Sequence, residues 1–130
     1  MTGQAILIID DDPCSRKLAR DVLSHVGYAI LEAANAEDGL ALAYSERPGL
    51  VLMDVQLPGM SGVEALGRLR ADPVTTGIPV VAVTALAMKT DRDRLAAAGF
   101  DAYLEKPLDV RELPRQLTAL VAAAEAGPGA

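Results

Sequence analysis

Residues 6–13 read Ile-Leu-Ile-Ile-Asp-Asp-Asp-Pro, ILIIDDDP. Four aliphatic residues in a row are the pattern of a strand buried on both faces, as in a parallel sheet. The run ends abruptly in Asp10, Asp11 and Asp12. Two carboxylates about 4 Å apart repel by roughly 4 kcal/mol at an effective dielectric near 20. Solvent, a helix N-terminus or a cation must compensate. Asp12 directly precedes Pro13, which suits the first position of a helix, so Asp12 is placed to cap it. Asp10 and Asp11 are left for a cation.

The same unit, an apolar strand running into a helix, recurs along the chain. Strand-like runs are Ala5 to Ile9, Leu50 to Met53 and Ile78 to Val83, with weaker ones at Ala29 to Ala33 and Ala102 to Glu105. Between them apolar residues recur at helical spacing. The first helix carries Leu18, Val22, Leu23 and Val26 on one stripe and stops at Gly27. The second opens at Asn35 and ends before Pro48-Gly49. Ser61-Gly62-Val63-Glu64 is a capping box that opens the third. The fourth covers Met88 to Ala98, and the fifth follows Asp109. Pro114 conflicts with that last start: five residues into a helix it would delete a hydrogen bond and crowd the preceding turn. Either the helix begins late or its first turn is distorted. Residues 1–121 make one domain, and 122–130, with Gly127-Pro128-Gly129, are expected to fray. Five successive strand–helix units predict an α/β fold, a doubly wound parallel sheet with helices on both faces.

Composition narrows the function. The chain has 130 residues, 51% of them hydrophobic, with no Trp and a single Phe, so its core is aliphatic. A net charge of −6 argues against a nucleic-acid surface and against charge-driven binding to an anionic membrane. No apolar run approaches the ~20 residues of a spanning helix. One cysteine, Cys14, forms no internal disulfide and fits a reducing compartment, the cytoplasm by default. It reads as a small helix residue rather than a catalytic thiol. His25, the sole histidine, falls in the last turn of the first helix, where the dipole favours it; alone, it has no partner for a metal.

Function in such folds sits at the carboxyl ends of the strands. The first strand ends in Asp10, Asp11 and Asp12, the third in Asp54, the fourth in Thr84 and the fifth in Lys106-Pro107. If these strands are neighbours, carboxylates, a hydroxyl and an ammonium meet on one edge. Asp10, Asp11 and Asp54 form an oxygen cage suited to Mg²⁺, which keeps coordination sites for phosphate oxygens. Taken singly, each residue is ordinary loop chemistry. Their conjunction at four strand ends is what points to a phosphoryl site.

With these residues in place the chain resembles a known family, the response-regulator receiver domain of bacterial two-component signalling. The motifs are ILIIDDDP, LVLMDVQLPGMSG, VVAVTALA and AYLEKP, and the likeness covers about Ala5 to Leu120. It implies a flavodoxin-like (βα)5 fold with strand order 2-1-3-4-5. It implies that Asp54 is the phosphoacceptor, that Asp11 ligates Mg²⁺ directly and Asp10 through water, and that the Gln56 carbonyl is a third protein ligand. Thr84 resembles the hydroxyl that contacts the phosphoryl group, Lys106 the lysine that pairs with it, and Tyr103 the aromatic switch. The Lys106–Pro107 bond is expected to be cis. Gln56 and Leu86 flank the phosphoryl position and are expected to tune its lifetime. The implied partners are a sensor histidine kinase or a histidine phosphotransfer protein, together with a downstream protein target. Pairing specificity is expected on the first helix around Cys14, Ser15 and Leu18. Both a monomer and a weak dimer through the fourth and fifth helices are compatible with the sequence.

Three other readings compete. A phosphatase with an Asp nucleophile usually carries a second acid two residues later, where this chain has Gln56. A nucleotide- or flavin-binding domain needs a glycine- or hydroxyl-rich loop after the first strand, where acids stand instead. A receiver serving only as a docking module would not need the intact acidic site.

Overall fold

The computed structural model describes residues 5–57, 59–85, 89–106, 108–109 and 111–126. Five strands alternate with five helices: β1 (Ala5–Ile9), α1 (Pro13–His25), β2 (Ala29–Ala33), α2 (Ala36–Glu46), β3 (Leu50–Asp54), α3 (Gly62–Ala71), β4 (Val80–Thr84), α4 (Lys89–Ala98), β5 (Ala102–Glu105) and α5 (Leu113–Ala126). The sheet is wholly parallel in the order β2-β1-β3-β4-β5, as expected.

Alternation along the strands sorts the core into two layers. Leu7, Ile9, Val51, Met53, Val80 and Ala82 face one way, against Ala36 and Ala43 of α2, Leu66 and Leu69 of α3, and Leu95 of α4. Ile6, Ile8, Leu50, Leu52, Val81 and Val83 face the other way, against Ala19 and Leu23 of α1 and Leu113 and Leu117 of α5. β3 and β4 are buried along their whole length. That is why their sequences are apolar without alternation.

The helix starts follow their caps. Asp12 accepts from the Cys14 N–H, Asn35 from Asp38, and Ser61 from Glu64. α1 closes at Val26, and Gly27 follows at φ +103°, a conformation L side chains rarely adopt. The conflict at Pro114 resolves toward a late start. The Asp109 side chain takes the Arg111 and Glu112 N–H groups, and its carbonyl takes Leu113, making a separate turn. α5 then begins at Leu113, so Pro114 occupies the second helical position, where no N–H is required. α5 continues to Ala126, past the boundary expected at Val121; its alanines favour helix. Leu86, Met88, Pro107 and 127–130 lie outside the described residues.

Candidate functional site

Register carries the strand-end residues to one edge. Ile9 is level with Met53, Asp54 with Val83, and Thr84 with Glu105. Pairing continues one residue further: Asp10 N–H donates to Ala33 O, Val55 to Val83, and Lys106 to Thr84. The residues after the strands are therefore held almost as firmly as the strands.

Asp10 and Asp54 are 5% and 6% exposed, which is rare for acids and demands partners. Lys106 supplies one ammonium to both, its Nζ lying 2.9 Å from Asp54 Oδ2 and 3.2 Å from Asp10 Oδ2. The other oxygens take backbone donors: Gln56 N–H on Asp54 Oδ1 at 3.0 Å, and Asp12 N–H on Asp10 Oδ1 at 2.9 Å. Among the described residues no buried side-chain polar atom lacks a partner. Asp11 is exposed, and one oxygen from each of Asp10, Asp11 and Asp54 lies within 4.8 Å of the others.

Burial pushes the Asp10 carboxyl above its ordinary value of 3.8, with the Asp54 charge adding to the effect, against the Asp12 N–H and Lys106. For Lys106 burial works downward, but the hydrogen bonds and charges of Asp54 and Asp10 outweigh it and hold the ammonium above 10.5. The outer acid, Asp12, is held below its usual range by the Cys14 N–H and the Ser15 hydroxyl, in keeping with its role as a cap. Three carboxylates against one ammonium leave the pocket electronegative. A hard divalent cation with oxygen ligands fits this donor set of three carboxylates.

Gly62, at the start of α3, sets the height of Asp54. A Cβ there would lie 2.7 Å from the Asp54 carbonyl oxygen and 2.8 Å from Val55 Cα. The Gly62 N–H also donates to Val55 O at 3.0 Å. Thr84 is 2% exposed at the end of β4. Tyr103 is 36% exposed and lines an open cleft of about 410 Å³ with Leu95, Ala96 and Phe100. The residues lining that cleft do not include Asp10, Asp11 or Asp54. The Gln56 backbone N–H is the donor held by Asp54 Oδ1.

Two residues of the site were not anticipated from sequence. Arg16 of α1 donates to the Asp10 carbonyl at 2.8 Å, and Glu32 of β2 holds Arg16 at 3.3 Å. Glu32 is the one charged residue in an otherwise apolar strand, and that was the available signal.

Comparison with known proteins bears on this geometry. The family model described as "Response regulator receiver domain" matches residues 6–118. The polar-differentiation response regulator DivK of Brucella anthropi is 41% identical over 107 residues, spanning 82% of this chain and 87% of DivK. A CheY-like receiver domain protein from Methanospirillum hungatei superposes with a TM-score of 0.87 at 31% identity, covering 98% of this chain and 100% of that one. The receiver domain of a sensor histidine kinase from Pseudomonas aeruginosa, solved with magnesium coordinated in its active site cleft, gives 0.83 at 31% identity, covering 93% and 99%.

Proposed function

The chain belongs to the response-regulator receiver-domain family of two-component signalling, and from that premise we propose that Asp54 accepts a phosphoryl group from a phosphohistidine donor in a Mg²⁺-dependent reaction. The observation that carries this reading is the shared ammonium. Lys106 bridges two buried carboxylates in a pocket that still holds excess negative charge. Asp10, Asp11, Asp54 and the Gln56 carbonyl would hold the cation. When bound, it would offset the carboxylates' repulsion of an incoming phosphoryl group.

Asp54 is the nucleophile. A carboxylate oxygen bonds to phosphorus as the phosphorus–nitrogen bond of the donor breaks, and the electron pair stays on the imidazole nitrogen. The products are an aspartyl phosphate and a free histidine. Lys106 pairs with the phosphoryl oxygens and Thr84 donates its hydroxyl, stabilising charge that spreads over them in the transition state. Gln56 borders the route by which water would later remove the group. The donor is a sensor histidine kinase or a histidine phosphotransfer protein in the cytoplasm, and phosphate can return to such a protein. No helix among the described residues is long and apolar enough to cross a membrane.

The signal leaves through the face made by α4, β5 and α5. The phosphoryl group adds charge and strong acceptors beside Thr84. As Thr84 moves toward it, Tyr103 turns inward and the cleft beside α4 changes shape. This is a shift between two packings that differ in their interaction with the phosphoryl group.

Phosphotransfer from a panel of autophosphorylated histidine kinases tests the reading. We expect at least one kinase to lose label to the wild-type chain in Mg²⁺ and none to lose it to Asp54→Ala. Equal labelling of both proteins would overturn the assignment of Asp54. A purely docking receiver is separated by titrating the protein with a phosphate mimic under NMR, since it would show no change beyond the pocket.

A further inference from the structure

We infer that Arg16 is a positioning residue of the cation site, acting through the Asp10 carbonyl and oriented by Glu32. The inference rests on the function proposed above and adds to it residues outside the acid cluster.

Four bonds fix Asp10. Its N–H is on Ala33 O, its carboxylate oxygens are on Asp12 N–H and Lys106, and its carbonyl is on Arg16 Nη1 at 2.8 Å. That carbonyl belongs to the planar peptide joining Asp10 to Asp11. Asp11 is exposed, and its side chain makes no hydrogen bond among the described residues. Its position is therefore set by the backbone that carries it, and the Arg16 contact is the bond made directly to the carbonyl of that peptide plane.

Arg16 is itself held. Its Nε lies 3.3 Å from Glu32 Oε1, and the second Glu32 oxygen lies 3.1 Å from Arg20 Nη1. The Arg16 and Glu32 side chains are only 22% and 28% exposed. A guanidinium can serve the carbonyl and the carboxylate at once through separate nitrogens in one plane. An ammonium on a flexible stem cannot reproduce that fork. Glu32 is level with Ile8 of β1, so the clamp ties α1 to β2 across the strand that delivers Asp10.

Positioning and simple charge predict opposite signs. As a mere cation near the pocket, Arg16 opposes Mg²⁺, so its removal would tighten binding and a lysine would leave binding unchanged. As a clamp on the Asp10–Asp11 peptide, its removal weakens binding, and lysine does not rescue it.

The test is calorimetric titration of the full chain with Mg²⁺ alone, comparing wild type with Arg16→Lys, Arg16→Met, Glu32→Gln and the Arg16→Met/Glu32→Gln pair. Affinity is read per folded molecule, with thermal melts giving the folded fraction. We expect Arg16→Met and Arg16→Lys to weaken Mg²⁺ about tenfold, the lower end for loss of an outer-shell partner. Glu32→Gln should weaken it less, and the pair no more than Arg16→Met alone, because Glu32 acts only through Arg16. Wild-type affinity in Arg16→Lys, tighter binding in Arg16→Met, or a lowered melting point with unchanged affinity would each overturn the inference. If the wild-type chain itself binds no Mg²⁺, the cation site fails as well, a result distinct from unaltered variants of a binding protein.

Discussion

At the residue scale, Asp10 carries a cost that its neighbours only partly offset. Its folded-state pKa lies above the ordinary 3.8, chiefly through burial, so the folded protein holds that proton more tightly than the unfolded chain does. The ionised carboxylate therefore opposes folding at pH values above its folded pKa. Below 3.8, where both states are protonated, the opposition disappears. We expect Asp10→Asn to melt higher than wild type at neutral pH without Mg²⁺, and the two melting curves to converge in acid. The same variant should bind Mg²⁺ more weakly, so stability and cation affinity move in opposite directions. A lower melting point for Asp10→Asn at neutral pH would show that Lys106 and the Asp12 N–H outweigh burial. Gly62 makes a second case. Alanine inside a helix ordinarily gains about 1 kcal/mol over glycine. Here the new Cβ would meet the backbone of Asp54 and Val55, which cannot swing aside as a flexible side chain can. Gly62→Ala should destabilise by about 1–3 kcal/mol in denaturant titration, as overpacking does, and should slow phosphorylation per folded molecule.

At the level of elements, the strands were legible because their burial leaves a simple trace. β1, β2 and β5 occupy the residues their sequences announce; β3 runs one residue further, to Asp54, and β4 begins two residues later than expected, at Val80, and ends one later, at Thr84. The caps at Asp12, Asn35 and Ser61 were equally plain, since each pairs a short oxygen-bearing side chain with an orphan N–H nearby. α5 was harder to read. Asp109 caps, but it caps a separate turn, and nothing in the local sequence distinguishes that turn from the helix proper. The structure puts Pro114 at the second helical position, and a consequence can be measured. Proline in a helix interior costs roughly 3 kcal/mol against alanine, so an interior Pro114 would make Pro114→Ala strongly stabilising. In the first turn the substitution should change stability by less than about 1 kcal/mol. The contacts of Arg16 were illegible for a different reason. Helical spacing says which face a side chain occupies, but a bond from α1 to the end of β1, braced from β2, depends on three elements meeting.

Across the whole molecule, the parallel register converts five separated stretches of sequence into one edge. Asp10, Asp54, Thr84 and Lys106 are spread over most of the chain, yet they converge because each stands at the end of a strand in the same sheet. That much followed from strand order. The place of Tyr103 is where geometry adds most. It lines a cleft beside α4 with Leu95, Ala96 and Phe100, and stands level with Ala82 of β4. Tyr103 is 36% exposed, so Tyr103→Ala removes buried ring surface and should destabilise by about 1–2 kcal/mol, and partner binding is read per folded molecule. A downstream partner should lose much of its preference for the phosphorylated form, measured as the ratio of its affinities for the two states. An unchanged ratio would remove Tyr103 from the output path. The central claim concerns a bond to Asp54, and chemical trapping reads it most directly. The protein is treated with phosphoramidate, a small phosphorus–nitrogen donor, in Mg²⁺, then reduced with borohydride, which converts an aspartyl phosphate to homoserine, and the peptides are mapped. We expect homoserine at residue 54 alone. Homoserine at residue 10 or 11, or none in a protein that binds Mg²⁺, would contradict the claim.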